Sequence, residues 1–266
     1  MRIKMSEVYF IGTGGSVATV ERDNTSILIN RDHHLILIDS PGSVTQKIKK
    51  LGFDPEHIGT LIITHIHPDH VYGLPAFVHS LMLKDIVLNL CGSALAVDFC
   101  REILDMFHLL DKKIKCKMNF IPLKPGDEFV IDNSLHCRAD DIPHSPSSLA
   151  FMFSFLPERI KLLYSGDTPV HPPLFQLAEN IDYLIHDCSA PSRFFAKRPS
   201  LKKMHTDSLT LGRLAQNAGV RCLIPCHFSG EIDYPISEIE QEIRAHYSGK
   251  LIIPADLMPL TLSLED

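Results

Sequence analysis

The sequence predicts an α/β fold, and three observations support that class. Short apolar runs with the composition of buried β-strands recur along the chain. Between several of them lie segments in which apolar residues recur about every 3.6 positions, as in amphipathic helices. Several apolar runs end in a histidine or an aspartate. Side chains at the carboxyl ends of strands, and on the loops beyond them, are where α/β folds build binding and catalytic sites.

The predicted strands are short segments rich in Val, Ile, Leu, Phe and Tyr. In chain order they are 8–12, 26–30, 35–39, 61–65, 86–91, 128–131, 148–155, 161–167, 182–187 and 222–227. Some of these segments follow one another without an intervening helix. We therefore expect antiparallel hairpins in the first and third quarters of the chain, within a mixed α/β arrangement.

The predicted helices lie between these strands, at 44–52, 93–110, 173–180, 208–219 and 236–247. Gly52 ends the first of them, as a glycine after the last helical turn commonly does. No linker-like stretch, low-complexity segment or short repeat interrupts the series. We therefore predict one domain spanning residues 1–266.

Composition narrows the range of functions. A net charge of −6 over 266 residues argues against a broad nucleic-acid-binding face. No apolar run approaches the ~20 residues that span a bilayer, and no signal peptide precedes the first predicted strand, so we expect no membrane association. The seven cysteines form no CxxC pair. Reduced, mostly buried thiols in a cytoplasmic protein are the expected interpretation.

The segment THIHPDH, residues 64–70, contains the densest cluster of potential metal ligands in the sequence. His65, His67, Asp69 and His70 are too closely spaced to share one helix face, but they can converge on a loop that leaves a strand. Imidazole nitrogens and carboxylate oxygens are ligands of zinc, and catalytic zinc keeps an open position for water. The alternative is a polar turn whose histidines face solvent, which a single histidine would favour but this cluster does not.

THIHPDH resembles the THxHxDH motif of the metallo-β-lactamase fold superfamily. The superfamily's other motifs follow in order, with His144 in DIPHS, Asp167 in YSGDT and His227 in PCHFS. The resemblance covers nearly the whole chain and implies a four-layer αββα sandwich with two divalent metal ions. Carried over to this sequence, it implies one metal on His65, His67 and His144, a second on Asp69, His70 and His227, and Asp167 as the bridge between them.

The implied centre suits hydrolysis. Two metal ions ~3.5–4 Å apart can generate hydroxide near neutral pH and stabilise both the attacking and the leaving oxygen. Asp69 can also orient the nucleophilic water or accept its proton. The mixture of histidine and aspartate favours Zn²⁺, with Mn²⁺ and Fe²⁺ as the alternatives.

Two further segments resemble the RNase Z-like branch of the superfamily. GTGGSVATVERDNTS, from Gly12, is similar to its opening GTGG…R…NTS segment, and MHTDS with PCHFS is similar to its downstream histidine and ligand motifs. The resemblance implies that His205 assists the leaving group and that Asp187, in HDCS, supports His205. The alternative for His205 is a solvated loop histidine after the basic segment that contains Arg193, Lys197, Arg198, Lys202 and Lys203.

The sequence differs from the RNase Z pattern in the region where that branch carries its tRNA-binding arm. Only 22 residues separate His144 from Asp167, and a single strand pair fills the interval that usually holds a long tRNA-binding arm. A small phosphodiester or nucleotide-like substrate is therefore expected, with tRNA as a second candidate. The resemblance also implies a homodimer.

Two other functions stay open at this point. One is hydrolysis of a thioester, lactone or β-lactam, since those branches share THxHxDH. The other is a non-catalytic metal-binding protein that keeps the fold for structure.

GTGGS, residues 12–16, could indicate a dinucleotide loop, but Val17 occupies the place of the last glycine and no helix follows, so a glycine turn beside the metal site is the better interpretation.

Overall fold

A computed structural model describes residues 6–31 and 34–264 of the chain. The strands are β1 (Glu7–Gly12), β2 (Ser26–Arg31), β3 (His34–Ile38), β4 (Ile58–Ile62), β5 (Val87–Ser93), β6 (Lys117–Leu123), β7 (Glu128–Asp132), β8 (Leu135–Asp141), β9 (Leu149–Phe155), β10 (Ile160–Tyr164), β11 (Tyr183–Asp187), β12 (Cys222–Cys226), β13 (Lys250–Leu251) and β14 (Met258–Thr261).

The α-helices alternate with the strands over most of the chain. They are α1 (Val44–Lys50), α2 (Pro68–Val71), α3 (Leu74–Ser80), α4 (Ala94–Met106), α5 (Pro172–Leu177), α6 (Ser192–Lys197), α7 (Ser208–Asn217) and α8 (Ile236–Arg244). Short 3₁₀ helices at Pro55–His57 and Pro199–Lys203 complete the described elements.

The strands form two sheets, each of seven strands within the described residues. The first has the order β14-β1-β2-β3-β4-β5-β6 and the second β13-β12-β11-β10-β9-β8-β7. In each sheet one half is antiparallel and the other parallel, the parallel pairs running from β3 to β6 and from β10 to β13. The carboxyl ends of these parallel strands carry most of the side chains that the sequence analysis selected.

Three apolar cores show the layer order. The central core lies between the two sheets and contains Phe10, Phe151 and Phe153, all fully buried. A second core packs the outer face of the first sheet against α1, α3 and α4, and a third packs the second sheet against α5, α7 and α8. The predicted four-layer αββα sandwich is therefore confirmed.

All ten predicted strands and all five predicted helices are present, with ends displaced by a few residues. The sequence analysis missed β6, β8, β13 and β14 and the short helices α2, α3 and α6. β6 is a partly exposed edge strand, and β8 carries charged residues in LHCRADD, so neither has the continuous apolar run of a buried strand. The β9–β10 hairpin does fill the short interval between His144 and Asp167.

None of the described helices has the length and apolarity needed to cross a membrane. The seven cysteines are all buried and unpaired, in agreement with their predicted role as small apolar side chains. Burial alone raises the pKa of Cys91 to about 12, which keeps this thiol protonated and unreactive.

A buried ion pair ties the two sheets together at the edge away from the site. The Arg31 guanidinium donates to both carboxylate oxygens of Glu158, at 2.7 and 2.9 Å, and to the hydroxyls of Ser6 and Ser134. The two charged side chains are only 4% and 5% exposed. Burial would raise the pKa of Glu158, but the hydrogen bonds from Arg31 and Ser6 lower it, so the pair is charged at neutral pH.

Glu158→Gln is expected to lower the free energy of unfolding by about 3 kcal/mol, because it leaves the Arg31 charge buried without its partner. Urea unfolding at neutral pH measures the change as a lower midpoint with an unchanged slope. Asp98→Asn is the matched control, since it breaks the exposed Asp98–Arg101 pair on α4 and should cost less than about 0.5 kcal/mol. Equal effects of the two substitutions would contradict the assignment of Arg31 and Glu158 as a buried ion pair that stabilises the contact between the two sheets.

Candidate metal centre

The candidate ligands come from both sheets and meet at one edge of the sandwich. His65 follows β4, and His67, Asp69 and His70 occupy the loop and the short helix α2 beyond it. His144 follows β8 in the second sheet. Asp167 and His227 follow the neighbouring parallel strands β10 and β12. The structure thus brings together all seven residues that the sequence analysis placed near metal ions.

One group consists of three imidazoles. The Nδ1 atom of His67 lies 3.0 Å from the Nε2 atoms of both His65 and His144. The ligand atoms of these histidines and of Asp167 all lie within 4.8 Å of one another. The His144 Nδ1–H donates to the carbonyl oxygen of Met204 at 2.8 Å, which directs the Nε2 lone pair into the group.

The second group is contiguous with the first and contains Asp69, His70, Asp167 and His227. Asp69 Oδ2 lies 3.4 Å from the Nε2 atoms of both His70 and His227. Asp167 belongs to both groups. Its Oδ2 atom is 3.0 Å from the Nε2 of His227 and 3.4 Å from that of His70, and 3.7 and 3.8 Å from the Nε2 atoms of His65 and His144.

Burial and charge set the protonation of these ligands. Burial of the His65 ring and repulsion from His70 lower the pKa of His65 well below its ordinary value, and burial also lowers the pKa of His144. Burial would raise the pKa of Asp167, but His227 and His70 together hold it well below its ordinary value. His65 and His144 are thus neutral and Asp167 is ionised at neutral pH, the forms that bind metal ions.

His70 and His227 lie among carboxylates and behave differently. Burial would lower the pKa of His70, but Asp167 and Asp39 raise it well above its ordinary value. Burial would likewise lower the pKa of His227, whereas Asp167 and Asp69 raise it to about 10. A divalent cation between these rings and carboxylates would replace the protons that they otherwise hold.

Asp39 is a supporting residue that the sequence analysis did not select. It follows β3, is fully buried, and accepts hydrogen bonds from the Nδ1–H of His70 and from the backbone N–H and hydroxyl of Thr64, all at 2.8 Å. The Thr64 hydroxyl lies 3.1 Å from His65 Nδ1, so that Asp39 orients two candidate ligands. Its position at the end of the LILID strand is the signal that could have identified it.

His205 is held beside the same centre by Asp187. The His205 Nδ1–H donates to Asp187 Oδ2 at 2.8 Å, and the backbone N–H of Thr168 donates to the same oxygen at 3.0 Å. The His205 ring stacks on that of His227, with centroids 5.0 Å apart. Because its Nδ1 faces Asp187 and its side chain is 17% exposed, His205 presents Nε2 toward the cleft rather than lying free on a solvated loop.

The glycine-rich segment forms a turn against His227. A Cβ atom at Gly15 would lie 3.3 Å from His227 Cε1, and the Gly15 N–H donates to the carbonyl oxygen of Phe228. Residues of the NTS segment (24–26) hold this turn by hydrogen bonds. The Asn24 amide donates to the carbonyl oxygen of Gly15, and the Thr25 hydroxyl donates to that of Gly14. GTGG and NTS therefore shape the wall of the centre, as expected of a glycine turn beside a metal site.

Two cavities open on the centre. One of about 180 Å³ is bordered by His205, His227 and Arg198 and includes Glu231, which accepts hydrogen bonds from Ser16 and Ser229. The other, of about 370 Å³, lies beside Asp69. Of the basic segment before His205, Arg193 pairs with Glu238, whereas Arg198 faces the first cavity. A larger cavity of about 580 Å³ lies outside the centre.

The donor set fits divalent cations. Five imidazoles and two carboxylates converge, and hydrogen bonding leaves some of their buried atoms without partners. Among the described residues, none gives a hydrogen bond to His70 Nε2 or Asp167 Oδ1, although both atoms are buried. Buried polar atoms are rarely left in this state, and nitrogen and oxygen donors of this kind are those that Zn²⁺, Mn²⁺ and Fe²⁺ bind.

Comparisons with known proteins agree with this geometry. A family model described as "Anti-Pycsar protein Apyc1" matches residues 6–209. Ribonuclease Z of Methanosarcina acetivorans is 25% identical, over 97% of this chain and 98% of its own length.

Two solved structures share the fold over almost their whole length. The metallo-beta-lactamase fold protein YhfI from Bacillus subtilis superposes with a TM-score of 0.79 at 18% identity, covering 97% of this chain and 99% of its own. Human tRNase Z, short form, superposes with a TM-score of 0.78, also at 18% identity, covering 97% of this chain and 100% of its own.

Proposed function

The chain belongs to the family described as Anti-Pycsar protein Apyc1, in the RNase Z-like branch of the metallo-β-lactamase fold superfamily, and from this premise we propose that it is a dinuclear metal-dependent phosphodiesterase. The observation that carries the proposal is the pair of contiguous ligand groups that share Asp167. A carboxylate common to two groups suits two metal ions held close together, the arrangement used to hydrolyse phosphate esters.

The ligand assignment follows the two groups. His65, His67 and His144 would hold one ion, Asp69, His70 and His227 the other, and Asp167 would contact both. Zn²⁺ is the proposed metal, because imidazole donors predominate. Bound there, the ions would supply Lewis acidity, which lowers the pKa of water and stabilises charge on phosphoryl oxygens.

The protein's own groups would complete the chemistry. Asp69, which faces the centre, can orient the attacking water or accept its proton. His205 Nε2 can donate a proton to the departing oxygen, while Asp187 fixes the ring and stabilises its protonated form. Burial would lower the pKa of His205, but Asp187 raises it, so the ring holds a proton more readily than a free histidine. His205 is thus the proposed catalytic acid and Asp187 its positioning residue.

We propose a small, nucleotide-like phosphodiester as substrate. The β9–β10 hairpin occupies the interval in which RNase Z relatives carry a tRNA-binding arm, and the net charge of −6 offers little attraction to a polyanion. Arg198 beside His205 is a local positive charge that can attract one phosphate.

A single domain over 1–266, a homodimer and a cytoplasmic location remain predictions. The buried, unpaired cysteines support the cytoplasmic location.

Metal quantitation and a substrate panel on one preparation test this function. We expect about two metal ions per chain and turnover of bis-p-nitrophenyl phosphate that falls at least ~10²-fold after chelation and returns with added Zn²⁺ or Mn²⁺. A thioester, a lactone and a β-lactam separate the other hydrolase branches, and a precursor tRNA with a 3′ trailer tests RNase Z activity. Activity retained without metal would overturn the mechanism. Full metal content without turnover of any substrate would indicate a non-catalytic metal-binding protein.

A further inference from the structure

Tyr72 is an exposed aromatic residue at the edge of the metal centre. It caps the carboxyl end of α2, two residues after His70, and its neighbours Val71 and Leu74 are buried. Tyr72 itself is 53% exposed. Single exposed aromatic residues are common on protein surfaces, so the position of this ring beside the candidate metal centre, rather than its exposure, is what points to a function.

The structure holds this ring in one place. Its hydroxyl donates to Asn24 Oδ1 at 3.1 Å, and the Asn24 amide is itself fixed on the carbonyl oxygens of Gly15 and Ser16. Gly42 makes room for the ring, since a Cβ atom there would lie 2.5 Å from Tyr72 Cε2. The ring is therefore supported by Gly42 and Asn24 while about half of the residue remains accessible.

The accessible part borders the cavity of about 370 Å³ beside Asp69, a volume in the range of about 300–1,000 Å³ typical of small-molecule sites. The cavity is lined by Ser16, Ala18, Asn24, Pro68, Asp69 and Tyr72. Asp69 is the charged member of this set, and it faces the metal centre. The remaining lining residues carry no charge, most of them are small, and Tyr72 adds an aromatic face, so that a flat, uncharged group matches them.

This cavity is separate from the one at His205. Ser16 borders both, but His205 and Arg198 line the smaller cavity, whereas Tyr72 lines the larger one. If His205 protonates the departing oxygen, the leaving group lies on its side of the centre. The cavity at Tyr72 then remains for a substituent that stays on phosphorus.

We propose that Tyr72 determines specificity by stacking on a nucleobase, or on a similarly flat and uncharged ring, carried by the phosphodiester substrate. The assignment rests on the proposed phosphodiesterase function. Stacking of a base on an aromatic side chain contributes about 1–3 kcal/mol and tolerates different bases, because every base has a flat face. Tyr72 would thus favour nucleotides as a class without selecting one base.

Calorimetric titration of the metal-loaded protein with AMP and with ribose 5-phosphate tests the proposal, because the two probes differ by the base alone. Wild-type protein should bind AMP at least ~5-fold more tightly. Tyr72→Leu should weaken AMP binding by ~5- to 150-fold, the equivalent of the stacking free energy, and change ribose 5-phosphate binding less than ~2-fold. Tyr72→Phe, which keeps the ring and loses only the hydroxyl, should retain the AMP affinity within ~3-fold.

Ala18→Leu is a second variant that leaves Tyr72 and the candidate ligands untouched. It fills the same cavity from an exposed loop position and should also weaken AMP binding selectively. Metal content is measured for each variant. Equal weakening of both probes, or no preference for AMP in the wild type, would overturn the assignment of Tyr72. Absence of bis-p-nitrophenyl phosphate turnover by the wild type would instead overturn the phosphodiesterase function, so the two failures are distinguishable.

Discussion

Asp167→Ala is expected to reduce kcat/KM for bis-p-nitrophenyl phosphate by at least ~10³-fold and to lower the bound metal per chain. The reason is the central position of this carboxylate, whose Oδ2 lies 3.0–3.8 Å from the Nε2 atoms of four histidines in the two ligand groups. Losing it would remove a ligand from both proposed metal ions and leave four imidazoles without their shared negative charge. Turnover and metal content are measured on the same preparation.

A comparison with His67→Ala sharpens this expectation. His67 belongs to one group only, so its loss should also abolish turnover while leaving the second group intact and able to hold metal. A thermal scan provides a readout independent of activity, because a metal ion that binds the native state raises Tm. Added Zn²⁺ should raise Tm most in the wild type, less in His67→Ala and least in Asp167→Ala. Asp105→Ala, on the exposed face of α4, is the control. Wild-type metal content and turnover in Asp167→Ala would refute the shared ligand.

His205→Ala is expected to lower kcat by ~10²-fold or more while the metal content stays at the wild-type value. His205 lies outside the two ligand groups, and its Nδ1 is held by Asp187, so its proposed task is proton donation to the leaving oxygen. The loss should depend on the leaving group. A good leaving group such as p-nitrophenolate needs little protonation, so the deficit should be larger for an ester whose leaving group is a simple alcohol.

Asp187→Asn separates positioning from proton transfer. The amide keeps the shape of the carboxylate but removes the charge that stabilises protonated His205, so we expect a smaller loss than in His205→Ala. The double variant should be no slower than His205→Ala alone, because the two residues act as one unit. Asp187 Oδ1 also lies 3.8 Å from His227 Nδ1, which makes the metal content of Asp187→Asn a necessary control. Additive losses, or a deficit independent of the leaving group, would contradict the assigned roles.

Much of the fold followed from local patterns. Strands such as β3 and β12 contain continuous apolar runs that are buried on both faces, and their sequences show it directly. The missed elements lack that local signal. β14 is a short, half-exposed edge strand that pairs with β1 from the other end of the chain, so only the contact between distant segments defines it. The local patterns predicted the α/β class and the family resemblance implied the αββα layers, whereas neither gave the full set of edge strands.

The resemblance to the RNase Z-like branch of the metallo-β-lactamase fold is confirmed by the matches to known proteins. The candidate ligands were recognisable because four of them occupy one seven-residue segment and the other three each follow a strand. The assignment of each ligand to a particular metal ion stays a proposal, as does the identity of that ion. The structure contributes the distances that make the assignment physically reasonable.

The sequence by itself determined the α/β class and the residue types of the candidate metal centre, and its resemblance to the RNase Z-like branch indicated a metal-dependent hydrolase. These properties reside in short segments, where neighbouring residues and the alternation of apolar runs carry the information. Only the tertiary structure decided which side chains support that centre. Asp39 lies 31 residues from the His70 ring that it holds, and Tyr72 stands 48 residues from the Asn24 that fixes it. Such contacts depend on how the loops beyond the strands pack together, which no local pattern specifies.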